Sequence, residues 1–249
     1  MTALILALIA GAVVGLVLGA LGGGGSVLAV PALIYLLGFT PAQATTAGLI
    51  IVSATSLTAL YAHARAGRVR WRAGAAFAAA GILPAAAAGA AATHLPQAVL
   101  TIAFAAIAIL SAGTMLRPAA TARPGSGDVR PGRAAGAGAG LGALTGLLGV
   151  GGGFLAVPAL VTVLAFEMEA AVGTSLLIIT ANSLASLVTR SGTGASLDWA
   201  VIGPFIGTAI LGAWDGKRMA AKVSGPRLQR VFAVVLLAVA VFMLADAVT

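Results

Sequence analysis

The sequence contains no cysteine, and only 8% of its 249 residues are charged. Without cysteine the chain forms no disulfide, has no thiol nucleophile and offers no cysteine ligand to a metal. A soluble domain carries roughly a quarter charged residues, which cover its surface in water. The scarcity of charge therefore excludes a soluble protein, and a hydrophobic content of 60% predicts an integral membrane protein.

Motifs for catalysis and for nucleotide binding are also missing. The sequence GAWDGKR resembles the end of a P-loop, but Leu211 stands where that motif needs glycine and Arg218 where it needs serine or threonine. There is no H-E-x-x-H zinc motif and no pairing of a nucleophile with a base. We therefore predict a protein that is not an enzyme and holds no cofactor or metal. Any transport would be driven by a gradient and not by ATP.

The formal net charge of +8 raises the question of nucleic-acid binding. The arginines and lysines stand in short clusters between apolar segments, as they do in the cytoplasmic loops of membrane proteins. This distribution indicates a lipid bilayer, and not a nucleic acid, as the partner of the chain.

One segment of the chain occurs twice. Residues 11–33 read GAVVGLVLGALGGGGSVLAVPAL and residues 138–160 read GAGLGALTGLLGVGGGFLAVPAL, at a constant offset of 127 positions with 14 of 23 residues identical. In each copy, glycines at every fourth position lead into a cluster of adjacent glycines. The spaced glycines are typical of closely packed helices. The clusters indicate interrupted helices, which form binding sites in secondary transporters.

The apolar segments divide the chain into two similar halves. Residues 1–116 are predicted to form the first transmembrane repeat and residues 134–249 the second. Each repeat is a glycine-broken helical hairpin followed by three transmembrane helices. Residues 117–133, rich in Pro, Gly and Arg, are predicted to be an exposed cytoplasmic linker. The predicted fold is an all-α integral membrane protein with one membrane domain, and whether the broken pairs span fully or re-enter stays open.

The basic residues predict that the two repeats have inverted topology. In the first half, arginines cluster between residues 65 and 72, and the next connection, 93–96, has no lysine or arginine. In the second half the corresponding first connection has only Arg190, and the next, 217–230, is strongly basic. Because lysine and arginine mark the cytoplasmic side, corresponding loops are expected on opposite sides, with both termini outside.

The glycine clusters form the predicted anion-binding site. Adjacent glycines let the backbone approach a ligand closely, and the amides that open the following half-helix carry partial positive charge. Hydroxyl and amide side chains would complete the site, although serine and threonine often bond only the backbone of their own helix. The predicted substrate-binding residues are Gly22, Gly24, Gly25, Ser26, Thr46, Gly149, Gly151, Gly152, Gly153, Thr174, Ser175 and Asn182.

These motifs resemble those of the TauE/SafE family of sulfite exporters. The resemblance rests on the doubled glycine cluster, on the V-P-A-L that follows each copy and on the AVGTSL at 171–176, and it extends over nearly the whole chain. It implies a multi-pass protein of a bacterial or archaeal inner membrane that moves sulfite, sulfoacetate or related organosulfonates. The first half departs from the pattern at 44–49, where it reads ATTAGL.

The predicted function is a secondary transporter that exports small sulfur-containing oxyanions by alternating access. A passive anion channel is the alternative, because the sequence separates a channel from a carrier poorly. An intramembrane enzyme acting on lipid or peptide is a further alternative, although no acid, base or metal constellation supports it. The coupling ion, proton or sodium, and the oligomeric state stay open.

Overall fold

The computed structural model describes the chain over residues 2–21, 24–92, 96–116, 131–148, 153–162, 164, 166–190, 197–220 and 222–248. Throughout these segments the only regular secondary structure is helical. The all-α part of the predicted fold is therefore confirmed.

The helices of the first half follow the predicted apolar segments. They are α1 (Thr2–Leu21), α2 (Gly24–Pro31), α3 (Pro41–Arg65), α4 (Trp71–Ala92) and α5 (Gln97–Leu116). After Pro31 the chain continues α2 as a π-helical turn over Ala32–Leu36. Proline has no backbone N–H and disturbs the regular helical hydrogen bonds, so the helix changes its geometry at this residue.

The second half contains the counterparts of these helices. They are α6 (Pro131–Leu148), α7 (Gly153–Thr162), α8 (Met168–Arg190), α9 (Trp199–Ala220) and α10 (Gly225–Val248). Helix α6 begins at Pro131, so the last three residues of the predicted linker, 131–133, are helical. Proline suits a first helical position because its missing N–H would have no partner there. Residues 117–130 of the linker lie outside the described residues.

Length and composition identify helices that can cross a membrane. Four in the described part of the chain qualify: Thr2–Leu21, Gln43–Arg65, Trp71–Ala91 and Met168–Val188. Large apolar side chains point outward from the protein, and Leu83, Val188 and Leu110 are 79%, 74% and 69% exposed. Water opposes such exposure, whereas lipid tails solvate it. These features confirm a membrane protein.

The spaced glycines of the repeated segment are contact surfaces between helices. On α1, Gly15 lies against Ala209 of α9 and Gly19 against Ala213, so close that a Cβ atom on either glycine would overlap the α9 backbone. Residue numbers rise together along this contact, so α1 and α9 run parallel. The prediction that these glycines serve close helix packing is confirmed for this pair.

The second copy of the spaced glycines makes the equivalent contact. On α6, Gly142 lies against Gly81 of α4 and Gly146 against Ala85, again with no room for a Cβ atom. Helices α6 and α4 therefore also run parallel. Small residues on both sides let the two backbones approach closely, which strengthens van der Waals contact where lipid offers no hydrophobic driving force.

Helices α3 and α8 form the centre of the structure. They contact each other directly, with α2 packed on α3 and α7 packed on α8. Within their apolar spans, 61% of α3 and 67% of α8 are buried, against 44% for α1 and 28% for α4. Of these four helices, α3 and α8 are therefore the most shielded from lipid.

A short turn folds α2 back on α3. Thr40 caps α3: its Oγ1 accepts a hydrogen bond from the Gln43 backbone N–H at 3.4 Å, and the Gln43 Oε1 accepts one from the Thr40 N–H at 3.2 Å. Such a capping box satisfies amides that have no partner inside the helix. Gly38 precedes it with a φ of +70°, a backbone conformation that favours glycine. The two helices therefore run antiparallel.

Candidate functional site

Two short helices begin at the glycine clusters. Helix α2 starts at Gly24 and contains Gly25 and Ser26 in its first turn, and α7 starts at Gly153. The first amides of a helix have no acceptor within it, so they are available to a ligand. Helices α2 and α7 also contact each other. The predicted residues Gly22, Gly149, Gly151 and Gly152 lie outside the described residues, as does the side chain of Ser26.

The start of α2 lies level with the middle of α3. Val30 of α2 packs on Gly48 of α3, where an added Cβ would lie 3.0 Å from the Val30 Cγ2. At a helical rise of 1.5 Å per residue, Gly24 lies roughly 9 Å from Val30, and Ser53 lies roughly 8 Å from Gly48. Because α2 and α3 are antiparallel, both displacements run in the same direction. The amides that open α2 are therefore level with Ser53.

Hydroxyl side chains meet where α3 and α8 cross. Ser56 Oγ on α3 and Thr180 Oγ1 on α8 lie 2.9 Å apart and are hydrogen bonded. Thr180 also donates to the Leu176 carbonyl at 2.7 Å. Ser56 Oγ in turn lies 3.3 Å from the Ser53 carbonyl, to which it can donate. Either hydroxyl can therefore be the donor in the bond between the helices. This crossing is fully buried in the protein interior: Ser56 has 0% and Thr180 6% of its surface exposed.

Two further serines at the crossing have no hydrogen-bond partner. Ser53 Oγ and Ser183 Oγ are buried, and neither bonds any protein atom. The repeat offset of 127 relates Ser53 to Thr180 and Ser56 to Ser183, so the unpaired serines are the counterparts of the bonded pair. A buried polar group without a partner costs stability. Unpaired hydroxyls at the centre of the helix bundle are therefore available to a bound ligand.

The structure does not bring the predicted side-chain donors to one place. Thr46 is buried in the second turn of α3, roughly 25 Å along that helix from His63 at a rise of 1.5 Å per residue. Thr174 lies near the opposite end of α3, because its Oγ1 accepts a hydrogen bond at 3.0 Å from the backbone N–H of Arg70 in the α3–α4 connection. One small anion cannot contact both residues. The two threonines were grouped by repeat motif, which carries no information on their distance in space.

Ser175 and Asn182 have different surroundings. Ser175 Oγ donates a hydrogen bond to the Val172 carbonyl at 2.8 Å. Such a bond to the backbone of the same helix is the expected alternative to ligand binding for serine and threonine. Asn182 is 1% exposed, and its Oδ1 has no protein partner. Its Nδ2 lies 3.5 Å from the position that a Gly81 Cβ would occupy. Asn182 thus faces α4, and its role in substrate binding stays a prediction.

Substitutions at the crossing separate ligand-binding hydroxyls from structural ones. Thr180→Val is expected to lower the unfolding free energy by about 1 kcal/mol, since it removes the bond to Ser56. Ser183→Ala is expected to leave stability unchanged or raised, because Ser183 Oγ has no partner to lose. Thermal unfolding midpoints of the two purified variants in detergent measure the difference. A lower midpoint for Ser183→Ala than for Thr180→Val would contradict this assignment.

The crossing was not among the predicted binding residues. Ser53, Ser56, Thr180 and Ser183 are conspicuous in the sequence only as part of two hydroxyl-rich runs, and any serine or threonine in a membrane helix can bond its own backbone. Their position halfway along α3 and α8 is the feature that could have identified them as site residues, because a carrier site lies near the middle of the membrane. Among the described residues no group of His, Asp or Glu could hold a metal.

Comparison with known proteins gives consistent matches. The family model described as Sulfite exporter TauE/SafE matches residues 7–243. A protein of Xylella fastidiosa strain 9a5c named "Probable membrane transporter protein" is 34% identical over 248 residues, covering 97% of this chain and 95% of the relative. Its namesake in strain Temecula1 is 33% identical over 249 residues, with coverage of 97% and 95%. No solved structure is significantly similar.

The match extends from α1 into α10, and it includes both glycine clusters and the α3–α8 crossing. Both relatives are named as membrane transporters and neither as an enzyme, as the absence of catalytic motifs predicted. The chain belongs to the TauE/SafE family of sulfite exporters.

Proposed function

We propose that this protein is a secondary transporter that exports small sulfur-containing oxyanions, sulfite or organosulfonates, across the plasma (inner) membrane by alternating access. The observation that carries the proposal is the family match over residues 7–243. The match includes the two glycine clusters at which α2 and α7 begin. The proposed carrier has one central anion site, has several membrane-spanning helices and uses an ion gradient.

The proposed anion site lies between the starts of α2 and α7, beside the α3–α8 crossing. Two observations support this location. The short helices α2 and α7 contact each other, and Gly24 lies at the same height along α3 as Ser53. Backbone amides at the helix starts carry partial positive charge, and the unpaired hydroxyls of Ser53 and Ser183 are additional donors. An oxyanion with several acceptor oxygens matches this set of donors. A cation or a bulky apolar molecule does not.

Inverted repeats are part of the proposal, and the directions of the helices support them. Helices α3 and α4 are joined by a five-residue turn, 66–70, and run in opposite directions. Helix α9 ends beside the end of α3, where Lys217 Nζ donates to the Ala62 carbonyl at 2.6 Å. Thus α1 and α9 run with α3, whereas α6 runs with α4. Corresponding helices α1 and α6 then have opposite directions.

Cysteine labelling tests the orientation, and the absence of native cysteine makes each label unambiguous. A cysteine at Leu95 in the 93–96 connection is expected to react with an impermeant thiol reagent from outside intact cells. A cysteine at Ala66, in the arginine-rich connection, is expected to react only after the cells are opened, because basic loops stay cytoplasmic. The reverse pattern would contradict the proposed orientation.

Gradient-driven flux tests the function itself. Purified protein in proteoliposomes is expected to accumulate sulfite or sulfoacetate when a proton or a sodium gradient is imposed, and protein-free liposomes serve as the control. Separate gradients identify the coupling ion. If neither anion moves in a protein-dependent way under either gradient, the proposed substrate class is wrong.

A further inference from the structure

A buried histidine lies at the end of α3 without any hydrogen bond from its side chain. His63 is 4% exposed, and neither its Nδ1 nor its Nε2 has a protein partner. A neutral imidazole has one donor and one acceptor, and leaving both unpaired in the interior costs stability. A leucine would fill such a position without that cost. The unpaired ring therefore points to a ligand that is bound there during function.

Two cationic residues from other elements hydrogen-bond the backbone at and next to His63. Lys217 of α9 donates to the carbonyl of Ala62, the residue before His63, at 2.6 Å, which uses one of the three donors of the ammonium group. Arg68 of the α3–α4 connection donates its backbone N–H to the His63 carbonyl at 3.2 Å. The Arg68 side chain pairs with Glu169 at 3.3 Å, and Arg65 at the end of α3 lies over the Tyr61 ring.

The charges around His63 favour an anion. Arg65, Arg68 and Lys217 lie at this end of the molecule, and the two carboxylates that form ion pairs there, Glu169 and Asp215, are 62% and 68% exposed at their side chains. Charge-assisted hydrogen bonds from lysine to an oxyanion are shorter and stronger than neutral ones. A partly buried setting strengthens them further, because the dielectric screening is lower than in water.

The lysine of this cluster has no counterpart at the equivalent position of the first half. Helix α9 starts at Trp199 and α4 at the equivalent Trp71, and at the position of Lys217 on α9 the first half has Gly89 on α4. The two halves therefore differ in charge at this position. A binding site that serves both directions equally would not need this difference, whereas capture of an anion from one side would.

From this geometry we infer that His63, Lys217 and Arg68 form an anion-capture site at the cytoplasmic end of α3. The exported oxyanion binds there first, with the His63 N–H and the Lys217 ammonium as donors, and then moves to the α3–α8 crossing. The inference rests on the proposed function and deepens it, since it assigns residues to one step of export.

Transport measured separately from each face of the membrane tests this site. In inside-out vesicles the cytoplasmic face is outward, and His63→Leu and Lys217→Gln are expected to raise the half-saturating sulfite concentration about tenfold, the lower end of the effect of charge focusing on anion capture. In right-side-out vesicles the half-saturating concentration is expected to be unchanged. Arg218→Gln is the matched control, because Arg218 is next to Lys217 on α9 but is 76% exposed at its side chain and pairs with Asp215.

Stability measurements keep the test independent of folding. His63→Leu is expected to keep or raise the thermal midpoint, because His63 loses no partner. A lower midpoint with unchanged half-saturation would make His63 a structural residue and overturn the inference. An equal effect of Arg218→Gln and Lys217→Gln would assign the change to general surface charge and also overturn it. Absence of sulfite flux in the wild type from either face would instead contradict the proposed function.

Discussion

Replacing Gly25 by valine is expected to abolish sulfite binding while the folded protein stays in the membrane. Gly25 lies in the first turn of α2, where the amides have no acceptor inside the helix. A β-branched side chain would block the close approach of an anion to these amides. Valine in place of glycine costs a helix little, so folding should survive. Binding of radiolabelled sulfite to purified protein measures the effect.

Gly113→Val is the control for this substitution. Gly113 lies on α5, and a Cβ atom there would meet nothing within 4 Å. The Gly113→Val protein should bind sulfite like the wild type and elute as the same monodisperse species. Gly152→Val, the equivalent change in the second cluster, is expected to behave as Gly25→Val does. Normal sulfite binding by both cluster variants would mean that the clusters only serve packing.

Replacing Gly142 by valine is expected to prevent folding, with little protein recovered in a monodisperse form. A Cβ atom on Gly142 would overlap the backbone of Gly81 on α4. A flexible side chain could move away from such an overlap, whereas the backbone of a packed helix cannot. Overpacking a core commonly costs about 1–3 kcal/mol, and a clash between helix backbones should exceed that range. Size-exclusion chromatography of the fluorescently tagged variant measures the yield of folded protein.

Gly140→Val is the matched control on the same helix. Gly140 is two residues away on α6, and a Cβ atom there would have no neighbour within 4 Å. The yield of folded Gly140→Val protein should equal that of the wild type. If Gly142→Val also gave the wild-type yield, the α4–α6 contact would not be the close backbone approach described above.

The helices and the packing role of the spaced glycines could be predicted because they depend on local sequence. Long apolar segments set the helix bounds, and glycine at every fourth position places all of them on one helix face. The partners of those glycines could not be predicted in the same way. Ala209 and Gly81 are far away in sequence, and nothing in their own segments marks them as the contacted residues.

The candidate site was only partly predictable for the same reason. The glycine clusters are visible as motifs, and α2 and α7 do begin there. The grouping of Thr46 with Thr174 required a distance that the sequence does not contain. Ser53 and Ser183 are distinguished from other membrane hydroxyls by having no partner, and that property exists only in the folded protein.

Counterflow of labelled sulfite tests the central claim of a carrier most directly. Proteoliposomes that contain the purified protein and a high internal concentration of unlabelled sulfite are placed in a trace of labelled sulfite outside. Alternating access predicts transient accumulation of label, because each outward passage of unlabelled anion returns the site to the outer face. Label that only equilibrates, at a rate independent of internal sulfite, would contradict a carrier and indicate a passive anion channel.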